Sequence, residues 1–468
     1  MRSIAIVGSG ISGLAAAHGL LQAGYHVDLY SDRTAQQWLN ESRPTGTATR
    51  FAIARSYERE LGLNHWDDLA PDGEGVFLTF CPTLHNRLVR LVGRFREPFQ
   101  AIDVRLQSHR WMNDFEERGG RLQIEQVSAD ALNDIAAAHD LTIVATGRAD
   151  LCRIFERDES RSVYSAPRRN LAMVTVTGGP ARVDDLPILP VKFDFLGTDG
   201  EIFFVPYFHK DAGACWNILV EAKAGARMDR FADVQSGAEA VARVKQVVGE
   251  LFPWDEPFVR HIELADPLGW LVGRVTPSVR KPAARLSSGR FVAALGDTAI
   301  SYDPIAAQGA NSGIKQARHL VSSIVARGER PFDGAWISAT FEDFYNEHAS
   351  HAYRFSSLLL EPITAPAKEL LIAQYGSDGR ADNRTGPQRV ANAFVENFND
   401  PRLLTPAFTD MSAARRVIAA HTEGRWLWNG VRGRASIARD QVKGRLRGTA
   451  RVTKFNHRDT EDTKRLPL

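Results

Sequence analysis

Short apolar runs alternate with a helical pattern at the start of the chain. Four apolar residues, Ile4–Val7, precede a glycine-rich turn, and a second run, Val27–Tyr30, follows a helix-like segment. Runs that are apolar at every position are typical of strands buried on both faces of a parallel sheet. Gly24 suits the end of the intervening helix, because glycine readily adopts the conformation found there. The pattern predicts a βαβ unit with its helix over Leu14–Ala23.

The rest of the chain divides into three segments that differ in their pattern of apolar residues. Buried strands and helices continue to about residue 165, short alternating strands around one helix fill about 165–275, and a helical pattern prevails beyond 335. Between the last two, a buried strand and a long helix return. We therefore predict an α/β fold with an inserted mixed β-sheet and a helical C-terminal region. The predicted helices are 55–63, 103–118, 236–251 and 309–326, and the predicted strands are 76–80, 121–127, 141–145, 172–177, 201–207, 215–220 and 291–295.

The glycine-rich turn at 8–13 has the spacing of a dinucleotide-binding loop. Glycines of this pattern allow the tight turn, the approach of a pyrophosphate and the close packing of helix on strand. The helix start would then offer its free N–H groups to the phosphate. An acidic residue follows the second strand at a suitable distance, although one position late. The alternative is a packing turn without a ligand. The predicted cofactor-binding residues of this motif are Gly8, Ser9, Gly10, Ser12, Gly13, Asp32 and Arg33.

A second motif, almost 290 residues downstream, favours a flavin. Asp297 follows a buried strand and suits a ribityl hydroxyl, and Pro304 would form a rigid turn under the ring. The helix that begins at Gly309, Ala310 and Asn311 would direct its N–H groups at the flavin edge that becomes negative on reduction. We expect this motif to meet the glycine turn at one FAD molecule. The alternative is a loop in which Asp297 or Asn311 only caps a helix.

Two further positions are weaker candidates. Thr146 and Gly147 end a buried strand where a chain commonly passes the FAD pyrophosphate, although a simple strand end explains them equally well. Arg105 opens a helix and would pair with a phosphate in a bidentate manner. Its alternative is a salt bridge with Asp103 or a solvated side chain.

Composition and charge narrow the classes of protein to which this chain can belong. The 468 residues are 44% apolar and 24% charged, which is typical of two or three globular units. The net charge of +2 does not favour a nucleic-acid partner. Three widely spaced cysteines suit neither a disulfide framework nor a zinc site, and they favour a cytoplasmic location. No run is long enough for an integral membrane segment, and the glycines near the N-terminus argue against a signal peptide.

Positive charge is concentrated at the C-terminal end. Residues 424–468 contain twelve Lys and Arg against four Asp and Glu. Three interpretations of this basic tail stay open: a solvated helix, a docking surface for a reductase or an anionic membrane, or a cover over the FAD entrance.

Taken together, these motifs resemble the FAD-dependent styrene and indole monooxygenases. The resemblance rests on the glycine turn, Asp103-x-Arg105-Leu106, Ala145–Gly147, the 296–311 motif and Asn397–Asn399, and it covers roughly residues 1–410. It adds Arg43 and Val127 to the predicted FAD contacts, and it makes Gly46, Thr47 and Pro304 candidates for the pocket. Two positions depart from the family. Gly46 replaces an amide side chain, and Ala307 replaces a usual glycine, which puts the substrate in doubt more than the flavin.

The resemblance implies the oxygenase half of a two-component system. A separate NADH-dependent flavin reductase would supply FADH2, molecular oxygen would form a C4a-hydroperoxide, and one oxygen atom would pass to a small apolar alkene or electron-rich aromatic. No side chain need act as a catalytic residue and no metal is implied, because the cofactor carries the chemistry. The resemblance also allows the protein to form a homodimer. The implied organisation is an aromatic-hydroxylase-like, Rossmann-type FAD-binding domain (1–165 and 275–330), a β-sheet substrate domain (166–274), a helical region (331–425) and the basic tail (426–468).

Three other functions remain open on the sequence. A single-component NAD(P)H-dependent aromatic hydroxylase shares the fold, but such enzymes usually carry Asp-Gly where this chain has Ala145–Gly147. A flavin halogenase would need a Trp-x-Trp-x-Ile-Pro run, of which only Trp426–Trp428 is present. A non-catalytic flavin-binding scaffold would bind FAD without forming an oxygenated product.

Overall fold

The structure is a computed structural model that describes residues 2–84, 86–147, 149–381 and 384–442. Most strands lie in two large sheets, and most helices cover their faces. The strands are β1 (Ser3–Val7), β2 (His26–Ser31), β3 (Thr49–Arg50), β4 (Gly73–Cys81), β5 (Val89–Ala101), β6 (Arg121–Ile124), β7 (Leu141–Val144), β8 (Asn170–Thr177), β9 (Pro190–Leu196), β10 (Gly200–His209), β11 (Gly213–Ala222), β12 (Glu263–Leu264), β13 (Trp270–Gly273), β14 (Ser278–Val279), β15 (Ala283–Arg285), β16 (Phe291–Ala294) and β17 (Ile300–Ser301). The helices are α1 (Ile11–Gln22), α2 (Ala35–Glu41), α3 (Ala52–Glu60), α4 (Val104–Glu117), α5 (Ala129–Ala138), α6 (Ala149–Cys152), α7 (Gly237–Leu251), α8 (Glu256–Val259), α9 (Gln308–Arg327), α10 (Gly334–Phe344), α11 (Ser350–Leu360), α12 (Ala365–Ala373), α13 (Gly386–Asn399) and α14 (Met411–His421).

The first sheet has six strands in the order β15-β16-β7-β1-β2-β6. All neighbouring pairs are parallel except the edge pair of β15 and β16. Ile4 and Ile6 of the central strand β1 are completely buried, as their uninterrupted apolar run predicts. The order is that of a Rossmann-type sheet, so the predicted fold class is confirmed.

The second sheet is mixed and follows the order β12-β8-β11-β10-β9-β4-β5-β3, with β13 also paired to β8. Its strands β4 and β5 come from residues 73–101, within the segment that the sequence assigns to the FAD-binding domain. The long strand β5 was not predicted, although Arg90, Arg94 and Arg96 fall on alternate positions between buried apolar residues, as in a strand with one exposed face. Side chains of the inner face, such as Phe193 and Phe203, form one hydrophobic cluster with α11 and α13. The inserted sheet is therefore larger than 166–274.

The C-terminal helices cover this inner face. Helix α13 lies directly against β5, where a side-chain carbon on Gly93 would come within 2.4 Å of the Ala391 carbonyl oxygen. Residues 426–442 form a last helix, on which Leu427 and Trp428 are more than 60% exposed. The remainder of the predicted basic tail, 443–468, lies outside the described residues, so its role stays a prediction. None of the helices in the described part of the chain is both long and apolar enough to cross a bilayer.

We expect Gly93→Ala to destabilise the protein because the added methyl group must push α13 away from β5. Overpacking of a tight contact costs about 1–3 kcal/mol, which is measurable as a lower denaturation midpoint. Gly249→Ala on the exposed side of α7, where a side-chain carbon meets nothing within 4 Å, is the control and should not lower stability. Equal stability of Gly93→Ala and the unmodified protein would show that the packing of α13 on β5 is wrong.

Candidate functional site

The glycine turn at 8–13 is held by close backbone contacts. Gly8 adopts a φ of +122°, and a side-chain carbon there would lie 2.5 Å from the Ala145 carbonyl oxygen. A side-chain carbon on Gly13 would lie 2.0 Å from the Gly8 carbonyl oxygen. Both positions therefore exclude any other residue, for the reasons that the motif predicts.

The second motif meets this turn across Ser12. A side-chain carbon on Gly296 would come within 2.8 Å of the Ser12 hydroxyl, and one on Gly313 within 2.1 Å. The Thr298 hydroxyl also donates a 2.7 Å hydrogen bond to the Thr146 carbonyl. Helices α1 and α9 pack side by side at this point. The structure thus brings the predicted turns together with the end of β7.

The helix starts at this junction are free of side-chain caps. Helix α1 follows Gly10 and helix α9 follows Ala307, and neither residue caps its helix with a side chain. Most longer helices of the chain have such a cap, as Asp103 provides for α4 and Ser236 for α7. Uncapped N–H groups and the positive end of a helix attract a phosphate or another electron-rich group. The N-terminal ends of α1 and α9 are therefore suited to binding a ligand.

An open crevice runs along the junction. Side-chain carbons built on Gly10, Gly46 or Gly147 would meet no atom within 4 Å. Asp297 is exposed, and its carboxylate lies 3.9 Å from a side-chain carbon built on Gly309 at the start of α9. Desolvation by the surrounding protein raises the pKa of Asp297, and the nearby charge of Arg280 opposes the shift. The site offers a backbone-lined channel with one carboxylate on its wall, which suits a dinucleotide and its hydroxyl groups.

Several side chains that the sequence predicts to contact the cofactor instead form bonds with other residues of the protein. The Arg33 guanidinium donates to the Asp32 carboxylate at 3.0 and 2.7 Å, and it also lies over the Trp38 ring. The Ser9 hydroxyl bonds Ser31 and accepts a bond from Trp38. These contacts shape the end of β2, and they leave part of the Asp32 carboxylate exposed.

The prediction that Arg105 binds a phosphate is not what the structure shows. The Arg105 guanidinium is completely buried and donates to both carboxylate oxygens of Asp103 and of Asp266. His209 at the end of β10 joins this cluster through a 2.6 Å contact with Asp266. The alternative salt bridge with Asp103 is formed, because three polar side chains from separate segments need a buried counter-charge. Arg105 therefore ties α4 to the second sheet.

At two other predicted contacts, Asn311 and Val127, the side chain is packed within the protein. The side chain of Asn311 is fully buried, accepts from the Phe51 N–H and donates to the Thr49 carbonyl. It thus anchors the segment before α3, and only the backbone of α9 is left to face a cofactor. The Val127 side chain packs in the core beside Leu132, so any cofactor contact there would involve its backbone.

The segment with Gly46 and Thr47 is tied to residues of the second sheet. The Thr47 hydroxyl donates to the Asn217 side chain at 2.7 Å, and Asn217 donates to Thr175 at 3.0 Å. Arg43 lies 4.0 Å from the centre of the Trp270 ring. Sequence analysis missed Asn217, although a polar residue at a core-facing strand position is a usable signal. Gly46 and Thr47 thus lie where the chain crosses between the two sheets.

An apolar cavity lies between the inner face of the second sheet and the C-terminal helices. Its volume is about 40 Å³, and its walls are largely phenylalanine and leucine, including Phe193, Phe394 and Phe398. The loop after Asp303 belongs to the same hydrophobic cluster through Ile305 and Ala306. The cavity and the second motif therefore border the same hydrophobic cluster.

No group of three metal-ligating side chains is present in the described ranges. Cys81, Cys152 and Cys215 are free and buried, and burial raises their pKa values, for Cys81 and Cys215 to about 12. Such thiols are poor nucleophiles. Any redox chemistry at this site would have to come from a bound group.

Comparison with known proteins shows what this chain is similar to. The family model for the substrate-binding domain of styrene monooxygenase A matches residues 147–257, and a model of an NAD(P)-binding Rossmann-like domain matches residues 6–36. Styrene monooxygenase StyA from Pseudomonas fluorescens is 26% identical over 408 residues, which is 86% of this chain and 93% of that protein. StyA from another Pseudomonas matches to the same extent.

Solved structures share the fold at lower identity. A flavoprotein/dehydrogenase from Cytophaga hutchinsonii superposes with a TM-score of 0.61 at 11% identity, covering 90% of this chain and 99% of that one. The flavin-dependent brominase Bmp2 gives 0.58 at 12% identity, with 90% and 98% coverage. Those likenesses concern the architecture alone. The sequence matches and the converging glycine turns together support a FAD-dependent monooxygenase that is similar to the styrene monooxygenases.

Proposed function

We propose that the protein is the oxygenase of a two-component system. It would take reduced FAD from a separate NADH-dependent flavin reductase and transfer one oxygen atom of O₂ to a small apolar alkene or electron-rich aromatic. The observation that carries this proposal is the apolar cavity whose phenylalanine side chains belong to the same hydrophobic cluster as the loop before α9. The names of the Pseudomonas relatives, which specify styrene, support the substrate class.

The chain's own groups fit FAD. The backbone at Gly10 and the uncapped start of α1 would bind the pyrophosphate, and Asp297 would accept a bond from the ribityl chain. The start of α9 would stabilise negative charge on the flavin with its N–H groups. When bound in reduced form, FAD supplies the activation of oxygen that side chains lack.

The cavity would select and shelter the substrate. Its phenylalanine and leucine walls favour an apolar molecule and disfavour water. Thr47, Asn217 and Thr175, outside this cavity, satisfy one another's hydrogen bonds. The three buried free cysteines support a reducing, cytoplasmic location.

The reaction itself tests the proposal. Protein supplied with chemically reduced FAD, oxygen and a vinyl-arene or indole should form an epoxide or an indigo-type product, measured by chromatography. NADH alone should not be consumed until a flavin reductase is added. Consumption of NADH by the purified protein would instead identify a single-component hydroxylase. FAD binding without any oxygenated product would identify a scaffold.

Gly10→Val tests the FAD channel. The side chain would fill open space in the free protein, so stability should be retained, whereas the pyrophosphate should lose its place. We expect FAD affinity to fall at least about tenfold, or ~1.4 kcal/mol, in a fluorescence titration. Gly249→Val, also in open space but on α7, should bind FAD normally. Unchanged affinity of Gly10→Val would place the pyrophosphate elsewhere.

Ala367→Leu tests the cavity. The larger side chain on α12 would occupy substrate space, so KM for a vinyl-arene should rise several-fold while FAD affinity stays the same. The exposed Leu427, changed to Phe, is a control outside the cavity. If Ala367→Leu leaves KM unaltered for both small and bulky vinyl-arenes, the substrate binds somewhere else.

A further inference from the structure

Two carboxyl groups face each other beneath the loop before α9. Glu221 lies at the end of β11 and Asp303 directly precedes Pro304, and their exposed fractions are 0% and 1%. Within the described structure, no N–H or hydroxyl donor reaches either oxygen of Glu221 or Oδ2 of Asp303. The two carboxyl groups are neighbours that interact with each other. The other oxygen of Asp303 accepts the Ile305 N–H at 3.2 Å.

The positive charge near this pair is already paired with another carboxylate. Arg169, just before β8, faces the pair, but it binds Glu201 of β10 through two bonds of 2.7 and 2.9 Å. The positive charge of Lys223, just beyond the end of β11, interacts electrostatically with Glu201. The buried cluster therefore has three carboxyl groups for one guanidinium. Two adjacent buried carboxylates without a counter-ion are strongly disfavoured, and a carboxyl–carboxyl bond requires a proton.

We propose that Glu221 and Asp303 share one proton, and that this acid pair is a positioning element that holds the 303–307 loop against the second sheet. The loop needs such an anchor, because Ala307 has a φ of +52°, a left-handed conformation that is unfavourable for a residue other than glycine. The loop also sets the position of the uncapped start of α9. Arg169 extends the same cluster to the end of α11 through the Leu360 carbonyl. The acid pair thus joins the loop to a helix that lines the apolar cavity.

The shared proton makes the loop sensitive to pH. Burial, followed by the mutual repulsion of the pair and Glu201, raises the pKa of Glu221 well above its usual value, and burial likewise raises that of Asp303. An acid whose pKa is raised in the closed state keeps its proton there and loses it on opening. Closure is therefore most favourable at low pH and weakens as pH rises from about 4, the ordinary carboxyl value, up to the raised pKa.

Hydrogen exchange on the FAD-free protein tests this directly. The protection factors of the Ile305 and Ala307 amides, corrected for intrinsic exchange, should fall by up to about tenfold per pH unit in that window, because opening releases one proton. Glu221→Gln offers a permanent amide donor in place of the proton, so its protection factors should not depend on pH. Asp303→Asn should behave in the same way.

Infrared difference spectra provide a second measurement that needs no loop motion. The unmodified protein minus Glu221→Gln should show the carbonyl stretch of a protonated carboxylic acid at neutral pH. Asp255→Asn is the matched control. It removes another buried acid, whose pKa burial and Asp194 raise to about 8, and that acid lies beside Lys192 rather than this loop. The control should leave the pH dependence of loop protection intact.

The proposal fails if the difference spectrum lacks the carboxylic acid band, or if loop protection in the unmodified protein is independent of pH. Both measurements concern the protein without FAD. Only the consequence for flavin position rests on the proposed function. An enzyme that makes no epoxide can therefore still have the acid pair, and an active oxygenase can still lack it.

Discussion

The close approach of bare backbone at Gly8, Gly13, Gly296 and Gly313 is the constraint on which the rest of the site depends. Each of these positions would place a side-chain carbon within 3 Å of a neighbouring atom. Because they have none, α1 and α9 meet around Ser12, and the first sheet ends where the second motif begins. Two uncapped helix starts then open on one crevice. Residues nearly 300 positions apart become a single binding site through the absence of side chains.

The two sheets contribute different parts of the site. The parallel sheet supplies the backbone crevice, and the mixed sheet supplies the apolar wall and the cavity beneath the C-terminal helices. Buried ionic groups connect the parts. Arg105 links α4 to Asp266 and His209 of the second sheet, and Arg169 brings Glu201 to the loop before α9. Breaking such a pair leaves a buried charge without a partner, which is why these links fix the relative position of sheet and loop.

Local patterns predicted the parts whose chemistry is local. The βαβ unit, the glycine turn and the start of α9 follow from short-range spacing, and the structure has each of them. Strand β5 was missed, although its arginines alternate with buried apolar residues, which is a usable strand signal. The partner of Arg105 could not be predicted in full, because Asp266 and His209 are brought to it only by the fold. The same is true of the contact between Glu221 and Asp303, which no sequence spacing suggests.

The central claim is that both turns bind one flavin molecule. A crystal structure of the protein with FAD tests it most directly. The account predicts the pyrophosphate at the start of α1, the ribityl chain beside Asp297 and the isoalloxazine ring at the start of α9, next to the apolar cavity. FAD bound away from either turn, or a crevice left empty between two separated turns, would contradict it.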